Sequence, residues 1–349
     1  LNKRGSCYKS LLHHHNIHSQ NRDNVIRELR NDGIEVKIVN RFEYTKECID
    51  WADLIVTTGG DGTYLMAASK VLSRNKPVIG VNSDPSRSIG YLCLPPNYTS
   101  NFKEALKKLK NGEFEWTYRQ RIKVTLHSED AMDDPIELHN QMLLHPEYRY
   151  LDLESTQMNR IDESDHEDES VGVKTRVLPV RALNEVFVGE CLSSRVSYYE
   201  FAIDKAPRTK LKSSGMTICT GTGSTSWSLN INKVSPGAVK TLFDIIKEET
   251  HCDLPHDPSI IQRVSQRFNN SLIFDSSRPV MAYTVRDPIL MGTETTANTR
   301  GWAQNIEVRS RMFDACVVID GGLSYKFNDG AIAEFTICEE DALKTVSLK

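Results

Sequence analysis

Residues 53–72 read DLIVTTGGDGTYLMAASKVL. The first six form a short, nearly continuous apolar run, Gly59, Gly60 and Gly62 cluster in the middle, and the stretch from Thr63 to Leu72 is helix-prone. A buried strand that passes through glycines into a helix is one unit of a parallel sheet covered on both faces. The same order extends outward. Upstream, Val25, Ile26 and Leu29 fall at helical spacing within 21–32, Gly33 stands at the C-cap position, residues 34–39 alternate like a strand, and 46–52 read as a short helix. Downstream, PVIGVN at 77–82 is another buried strand. An open, Rossmann-like α/β domain with a parallel sheet is therefore expected over 1–98.

Past the turn-rich LPPNYTSN at 94–101 and a helix over 102–110, the texture changes. Residues 121–126, 186–189, 196–203 and 216–219 are short β-leaning segments separated by Gly, Pro, Asn, Asp and Ser, which predicts an antiparallel β-sandwich-type domain over 99–319. Helices are expected at 238–249 and 260–269, closing strands at 316–319 and 331–337, and a final segment, 320–349, packing back near the N-terminal domain. Two polar stretches interrupt this domain, one at 292–304 and one at 162–170. The latter, DESDHEDES, lies in a loop insert over 160–172 and reads as solvated, with gating or a partner contact as the other reading.

The charge balance is 43 basic against 47 acidic residues, with a pI near 6.2, which argues against an electrostatic binder of nucleic acid or anionic lipid and leaves a small anionic ligand open. Removing the six acids of 162–170 leaves 43 bases against 41 acids, so the acidity belongs to that insert. No apolar run approaches the ~20 residues of a membrane span. The eight cysteines are scattered without zinc-ligand spacing, which implies free thiols in a reducing compartment. His13, His14, His15 and His18 read as a polar helix end, with a metal site as the competing reading. The start at Leu1 and the lack of acids before Asp23 suggest a targeting segment removed or omitted.

Three constellations carry chemistry. Gly59, Gly60, Asp61, Gly62 and Thr63 lie where a parallel sheet binds ligands, and glycine amides at a helix start suit phosphate oxygens. Asp61 does not suit a passive phosphate cradle; a carboxylate there implies metal or an attacking hydroxyl, hence phosphoryl transfer, unless it is only the N-cap of a tight turn. The segment TGTGSTSW at 220–227 follows a β-leaning stretch and offers hydroxyls, exposed amides and Trp227 to a polar ligand. It lacks both the dinucleotide fingerprint and a Walker lysine, and a Ser/Thr-rich turn with a core tryptophan reads equally well. Asn184 and Glu185 open a strand, where an amide and a carboxylate can grip a ribose diol or simply form a strand-end turn.

Together and in this order, these elements resemble the NAD kinase family, most of all its mitochondrial branch. Supporting stretches are AASKVL at 67–72, VIGVNSDP at 78–85, QRI at 120–122, ALNEVFVGE at 182–190, RSRMFDACVVIDGG at 309–322 and FNDGAIA at 327–333. The resemblance implies that Asp61 is the catalytic carboxylate for phosphoryl transfer from ATP with Mg²⁺ to the 2′-hydroxyl of the adenosine ribose of NAD. It implies further that Gly59, Gly60, Gly62 and Thr63 shape the phosphate loop and that Asn184 and Glu185 hold the ribose. Thr222, Thr225, Ser226, Trp227 and Asn230 would line the dinucleotide pocket, with Tyr91 as the aromatic residue after a glycine. No fixed protein metal site, a homodimer, a mitochondrial location and inorganic polyphosphate as another donor are also implied. Arg121, Lys210 and Lys212 are candidates for the donor phosphate. Ser226-Trp227 stand in place of the usual Ala-Tyr, and Ser214-Gly215 in place of Asp-Gly, which removes a carboxylate expected near the nicotinamide end. A lipid kinase of the diacylglycerol or sphingosine type shares the glycine loop but leaves 184–185 and 220–225 unexplained. A non-catalytic dinucleotide sensor would have no need of Asp61.

Overall fold

The structure is a computed structural model that describes residues 7–139, 172–251, 254, 257–289 and 298–348. The acidic insert at 162–170 and residues 292–297 of the second polar stretch lie outside them. The chain divides into two compact units: one of residues up to 121 with 179–183 and 338 onward, the other of 122–178 and 184–337. These divisions differ from breaks at 98 and 319. The helix at 102–111 buries Phe102, Ala105 and Leu106 in the core of the first unit, and the strands at 323–326 and 332–337 are built into sheets of the second.

In the first unit, α1 (Tyr8–Asn31), α2 (Lys46–Trp51), β1 (Ile55–Gly59), α3 (Asp61–Lys70), β2 (Val78–Asn82), α4 (Asn97–Ser100), α5 (Phe102–Asn111) and β3 (Phe114–Arg119) follow in order. β1 and β2 pair in parallel, Ile55 opposite Val78 through Gly59 opposite Asn82. Val78 faces a cluster with Ile55, Tyr64, Ala67, Ala68 and Val71, whereas Ile79 and Val81 face Val25, Leu29, Tyr98, Phe102 and Leu106. Helices therefore cover both faces of β2, which is why its sequence is apolar up to Asn82 at its end. The last strand of the chain, Leu343–Leu348, pairs antiparallel with β3, and Lys344 forms a parallel bridge to Pro77.

Two expectations change here. Residues 34–39 join no ladder: Val36 and Val39 pack against the two clusters, but Ile34 and Ile38 stay exposed. Alternation supplies a face, while a strand also needs a neighbour to pair with. Helix α1 begins at Tyr8 rather than near residue 21, so the histidines lie within it instead of at an end. His14 Nδ1 meets Asp84 Oδ2 at 2.7 Å and His18 Nδ1 meets Ser83 Oγ at 2.8 Å, which fastens the helix to the loop after β2. No group of three or more His, Cys, Asp or Glu placed to hold a metal ion occurs among the described residues.

The second unit is an antiparallel sandwich. Its strands are β4 (Ile122–Ser128), β5 (Ile136–Glu137), β6 (Lys174–Ala182, whose residues from 179 onward count with the first unit), β7 (Glu185–Glu190), β8 (Ser197–Ile203), β9 (Thr209–Ser213), β10 (Met216–Cys219), β11 (Met281–Val285), β12 (Arg300–Ala303), β13 (Asn305–Ser310), β14 (Ala315–Ile319), β15 (Leu323–Lys326) and β16 (Ile332–Ile337). One sheet has the order β12-β11-β10-β7-β14-β15-β5 and the other β6-β4-β16-β13-β8-β9. Strict alternation in β4, β13 and β16 buries Ile122, Val124 and Leu126, Ile306 and Val308, and Ala333, Phe335 and Ile337 on one face. Phe201 of β8 meets Tyr283 of β11 across the sheets, ring centroids 6.4 Å apart. Between β10 and β11 come α6 (Trp227–Asn232), α7 (Pro236–Thr250) and α8 (Pro258–Ser271). Ser235 and Asp257 cap α7 and α8, each accepting a backbone N–H and each followed by proline at the first helical position.

Candidate active site

In the first unit, β1 delivers Gly59 and Gly60 to the sheet edge and α3 begins at Asp61, with Gly60 as its N-cap. A Cβ on Gly59 would lie 2.3 Å from Thr63 Oγ1, so the strand end can lie against the first helical turn only as glycine. The first-turn amides and the aspartate thus share one edge of the sheet, with the helix dipole favouring an anion there. The Asp61 carboxylate is oriented by two backbone donors: the N–H of Leu92 at 2.8 Å to Oδ1 and that of Tyr91 at 3.1 Å to Oδ2. One bond to each oxygen leaves further lone pairs for a hydroxyl or a cation. Tyr91 itself is 69% exposed. Asn82, at the end of β2, holds this turn from below, its side-chain N–H donating to the Ser88 carbonyl at 2.8 Å.

Arg121 corrects one expectation. Its side chain is fully buried and donates to the carbonyls of Ala68 (3.0 Å), Val71 and Asp341 (2.6 Å), so it closes the C-terminal end of α3 and is not turned toward a donor phosphate.

In the second unit, Asn184 and Glu185 open β7, and Glu185 lies opposite Cys219, the last residue of β10. The chain turns there into Thr220–Ser226, so residues 184–185 and the TGTGSTS segment are brought together by strand pairing. The Thr220 N–H donates to the Asn184 carbonyl at 2.9 Å, and Asn184 Nδ2 reaches Ser226 Oγ at 3.4 Å. A Cβ on Gly223 would stand 2.1 Å from the Asn184 carbonyl oxygen, so only glycine permits this approach. Thr222 is buried, and Thr225 Oγ1 donates to its carbonyl at 3.2 Å. Trp227 starts α6, tilts against Phe187 at 5.8 Å and carries the Arg286 guanidinium 5.3 Å over its ring. The Asn230 side chain is spent locally, its N–H on the Ser226 carbonyl and its oxygen on Lys233 Nζ. Lys210 lies 3.8 Å from Glu200, and Lys212 stacks on Tyr198. Ser214 donates its N–H to the Arg286 carbonyl at 2.9 Å.

Sequence reasoning gave no role to Asp320. It follows β14 with φ +47° and accepts the N–H groups of both Asn184 (2.8 Å) and Glu185 (3.0 Å) on one oxygen. The available signal was an Asp-Gly-Gly turn directly after a buried strand. Burial, and next the nearby Asp320 charge, push the Glu185 carboxyl up to about 8. Asn184 Oδ1 and Glu185 Oε2 are buried with no hydrogen-bond partner among the described residues. Such atoms are costly to leave unpaired, and two of them at one strand start mark a place where a polar ligand supplies the missing partners.

A family model described as the ATP-NAD kinase N-terminal domain matches residues 7–114. NAD kinase 2, mitochondrial, of Homo sapiens is 46% identical over 347 residues, which cover 99% of this chain and 76% of that protein. The Xenopus tropicalis protein of the same name is 46% identical over 99% of this chain and 82% of its own length. Among solved structures, an NAD kinase from Archaeoglobus fulgidus in complex with ATP has a TM-score of 0.55 at 18% identity, covering 94% of this chain and 88% of that one. Yeast NADH kinase complexed with NADH has a TM-score of 0.53 at 14% identity, covering 85% and 62%. The two structures share the fold, and the full-length identities carry the family: the chain belongs to the NAD kinases.

Proposed function

We infer that this chain is a mitochondrial NAD kinase that transfers the γ-phosphoryl group of ATP to the 2′-hydroxyl of the adenosine ribose of NAD, forming NADP⁺ and ADP. Asp61 takes the hydroxyl proton as the ribose oxygen bonds to the γ-phosphorus and the bond to the β-phosphate oxygen breaks. Two backbone N–H donors already hold that carboxylate in one orientation, so little is lost in aligning it. The amides around Gly59, Gly60, Gly62 and Thr63 face the transferring phosphate. Asn184 and Glu185 hold the ribose diol, Glu185 in its protonated form near neutral pH and thus able to donate as well as accept. Thr222, Thr225, Ser226, Trp227 and Asn230 line the rest of the dinucleotide pocket, with Tyr91 flanking Asp61.

The observation that carries this reading is the pair of buried, unpartnered oxygens on Asn184 and Glu185, in a chain that also presents a backbone-oriented aspartate in a glycine loop. Mg²⁺ would arrive with ATP rather than occupy a fixed protein site; it would offset charge on the phosphates, and Asp61 would be the carboxylate of the glycine loop able to meet it. Inorganic polyphosphate serves as a second donor, and the working form is a homodimer. Purified protein incubated with NAD, ATP and Mg²⁺ should yield NADP⁺. Asp61→Asn should bind NAD normally and lose at least two orders of magnitude in turnover, in line with general-base contributions of ~10²–10⁴. Near-normal turnover with unchanged NAD binding would sink the catalytic assignment, and tight NAD binding without product in the wild type would favour a sensor.

A further inference from the structure

Within the second unit, beside α6, lies a cavity of about 540 Å³ whose walls include Asn232, Thr284, Arg286, Asp287, Thr299 and Arg300. This is within the size range of small-molecule pockets. Its two arginines lie over aromatic faces: the Arg286 guanidinium is 5.3 Å from the centre of the Trp227 ring and that of Arg300 is 5.9 Å from the centre of the Phe268 ring. A cation–π contact occupies none of the guanidinium N–H groups in a hydrogen bond to an oxygen and leaves donors for a ligand. Neither side chain has a hydrogen bond or an ion pair to another described residue. The Arg286 backbone is fixed on both sides, its N–H on the Gly215 carbonyl at 2.8 Å and its carbonyl on the Ser214 N–H at 2.9 Å. Thr284 Oγ1 accepts from Asn232 Nδ2 at 3.1 Å, so its own hydroxyl proton remains to be donated. Asp287 contributes one negative charge to the wall, which leaves the lining at +1.

Two cations that face one cavity repel each other, and an anion between them relieves the repulsion. Planar N–H pairs match phosphate oxygens two at a time. We propose that this cavity is a phosphate-binding subsite in which Arg286 and Arg300 grip a phosphate or diphosphate group and the Thr284 hydroxyl donates a further bond. The Asp287 carboxylate opposes an anion in this cavity and is outweighed by the two guanidinium groups. The proposal concerns a different cluster from the glycine loop and does not depend on the kinase reading.

Calorimetric titration of the purified chain with inorganic pyrophosphate at low salt tests it. Arg286→Gln and Arg300→Gln should each weaken one component of the wild-type binding at least tenfold, the double variant should lose that component, and added KCl should weaken the wild type. Pyrophosphate bound elsewhere is common to all variants, so the difference between them is the readout. Repeating the titration with protein saturated in NAD identifies the source: exclusion assigns the subsite to the dinucleotide's own diphosphate, and unchanged binding assigns it to a separate phosphate ligand. Arg300 is exposed, so Arg300→Gln should fold even if the Arg286 variants do not. Wild-type pyrophosphate affinity in folded Arg300→Gln, or in a folded double variant, would overturn the proposal.

Discussion

Replacing Asp320 tests whether one residue holds the opening of β7. The wild-type carboxylate receives two backbone N–H bonds, at 2.8 and 3.0 Å, from Asn184 and Glu185 on a single oxygen. Hydrogen bonds to a charged acceptor contribute about 1.5–3 kcal/mol each, and two that share one oxygen are worth less than twice that, so Asp320→Ala should cost about 3 kcal/mol. About 1 kcal/mol more follows from placing alanine at φ +47°, a strain that Asp320→Gly avoids. Asp320→Asn keeps an acceptor and tolerates the left-handed backbone, so it should cost only about 1 kcal/mol. It also removes a negative charge beside Glu185, so its cost should shrink above pH 8, where Glu185 ionises and the wild type carries both charges. The assay is urea unfolding of each variant at pH 6 and pH 9, read as a change in midpoint at constant slope. Equal midpoints for wild type and Asp320→Ala, or a glycine variant as unstable as the alanine one, would refute the reasoning.

Two further outcomes follow from the same region. Glu185 has a native value of about 8 against an ordinary 4.5, so the folded state holds a proton that the unfolded state releases, and stability should fall by about 1.4 kcal/mol per pH unit as pH rises from ~5 to ~8. Glu185→Gln should flatten that slope in pH-dependent unfolding, and an unchanged slope would count against the buried carboxyl. Gly223→Ala would place a Cβ 2.1 Å from the Asn184 carbonyl oxygen, which is backbone and cannot swing aside. Separating the start of β7 from the turn should lower the urea midpoint and weaken NAD binding at least tenfold by calorimetry; wild-type stability with wild-type affinity would show that the turn adapts.

Most helices were legible in composition and period, as were the strands β1, β2, β4, β7, β8, β10, β14 and β16. The PVIGVN run buries all five residues of β2 because helices cover both faces, and the alternation in β16 puts its apolar residues on the sandwich interior. The candidate site was legible where its residues are contiguous: GGDGT at a strand-to-helix turn, Asn-Glu at a strand start and TGTGSTS at a strand end are local arrangements of backbone and side chain. Residues 34–39 have the period of a strand, but no backbone pairs with them, and the histidine-rich stretch continues a helix because His14 and His18 find partners 70 and 65 positions away.

The sequence by itself determined the α/β and sandwich pattern, the family and the residues of the glycine loop, since each is written in neighbours a few positions apart. Only the tertiary structure decided that Asp320 holds Asn184 from 136 positions away. It also decided that Arg121 is spent on the end of α3 and that Arg286 and Arg300 face one cavity. The physical reason is that a side chain's role depends on which donors, acceptors and charges surround it in space. Those partners come from distant strands whose register and crossing are set by packing of the whole domain.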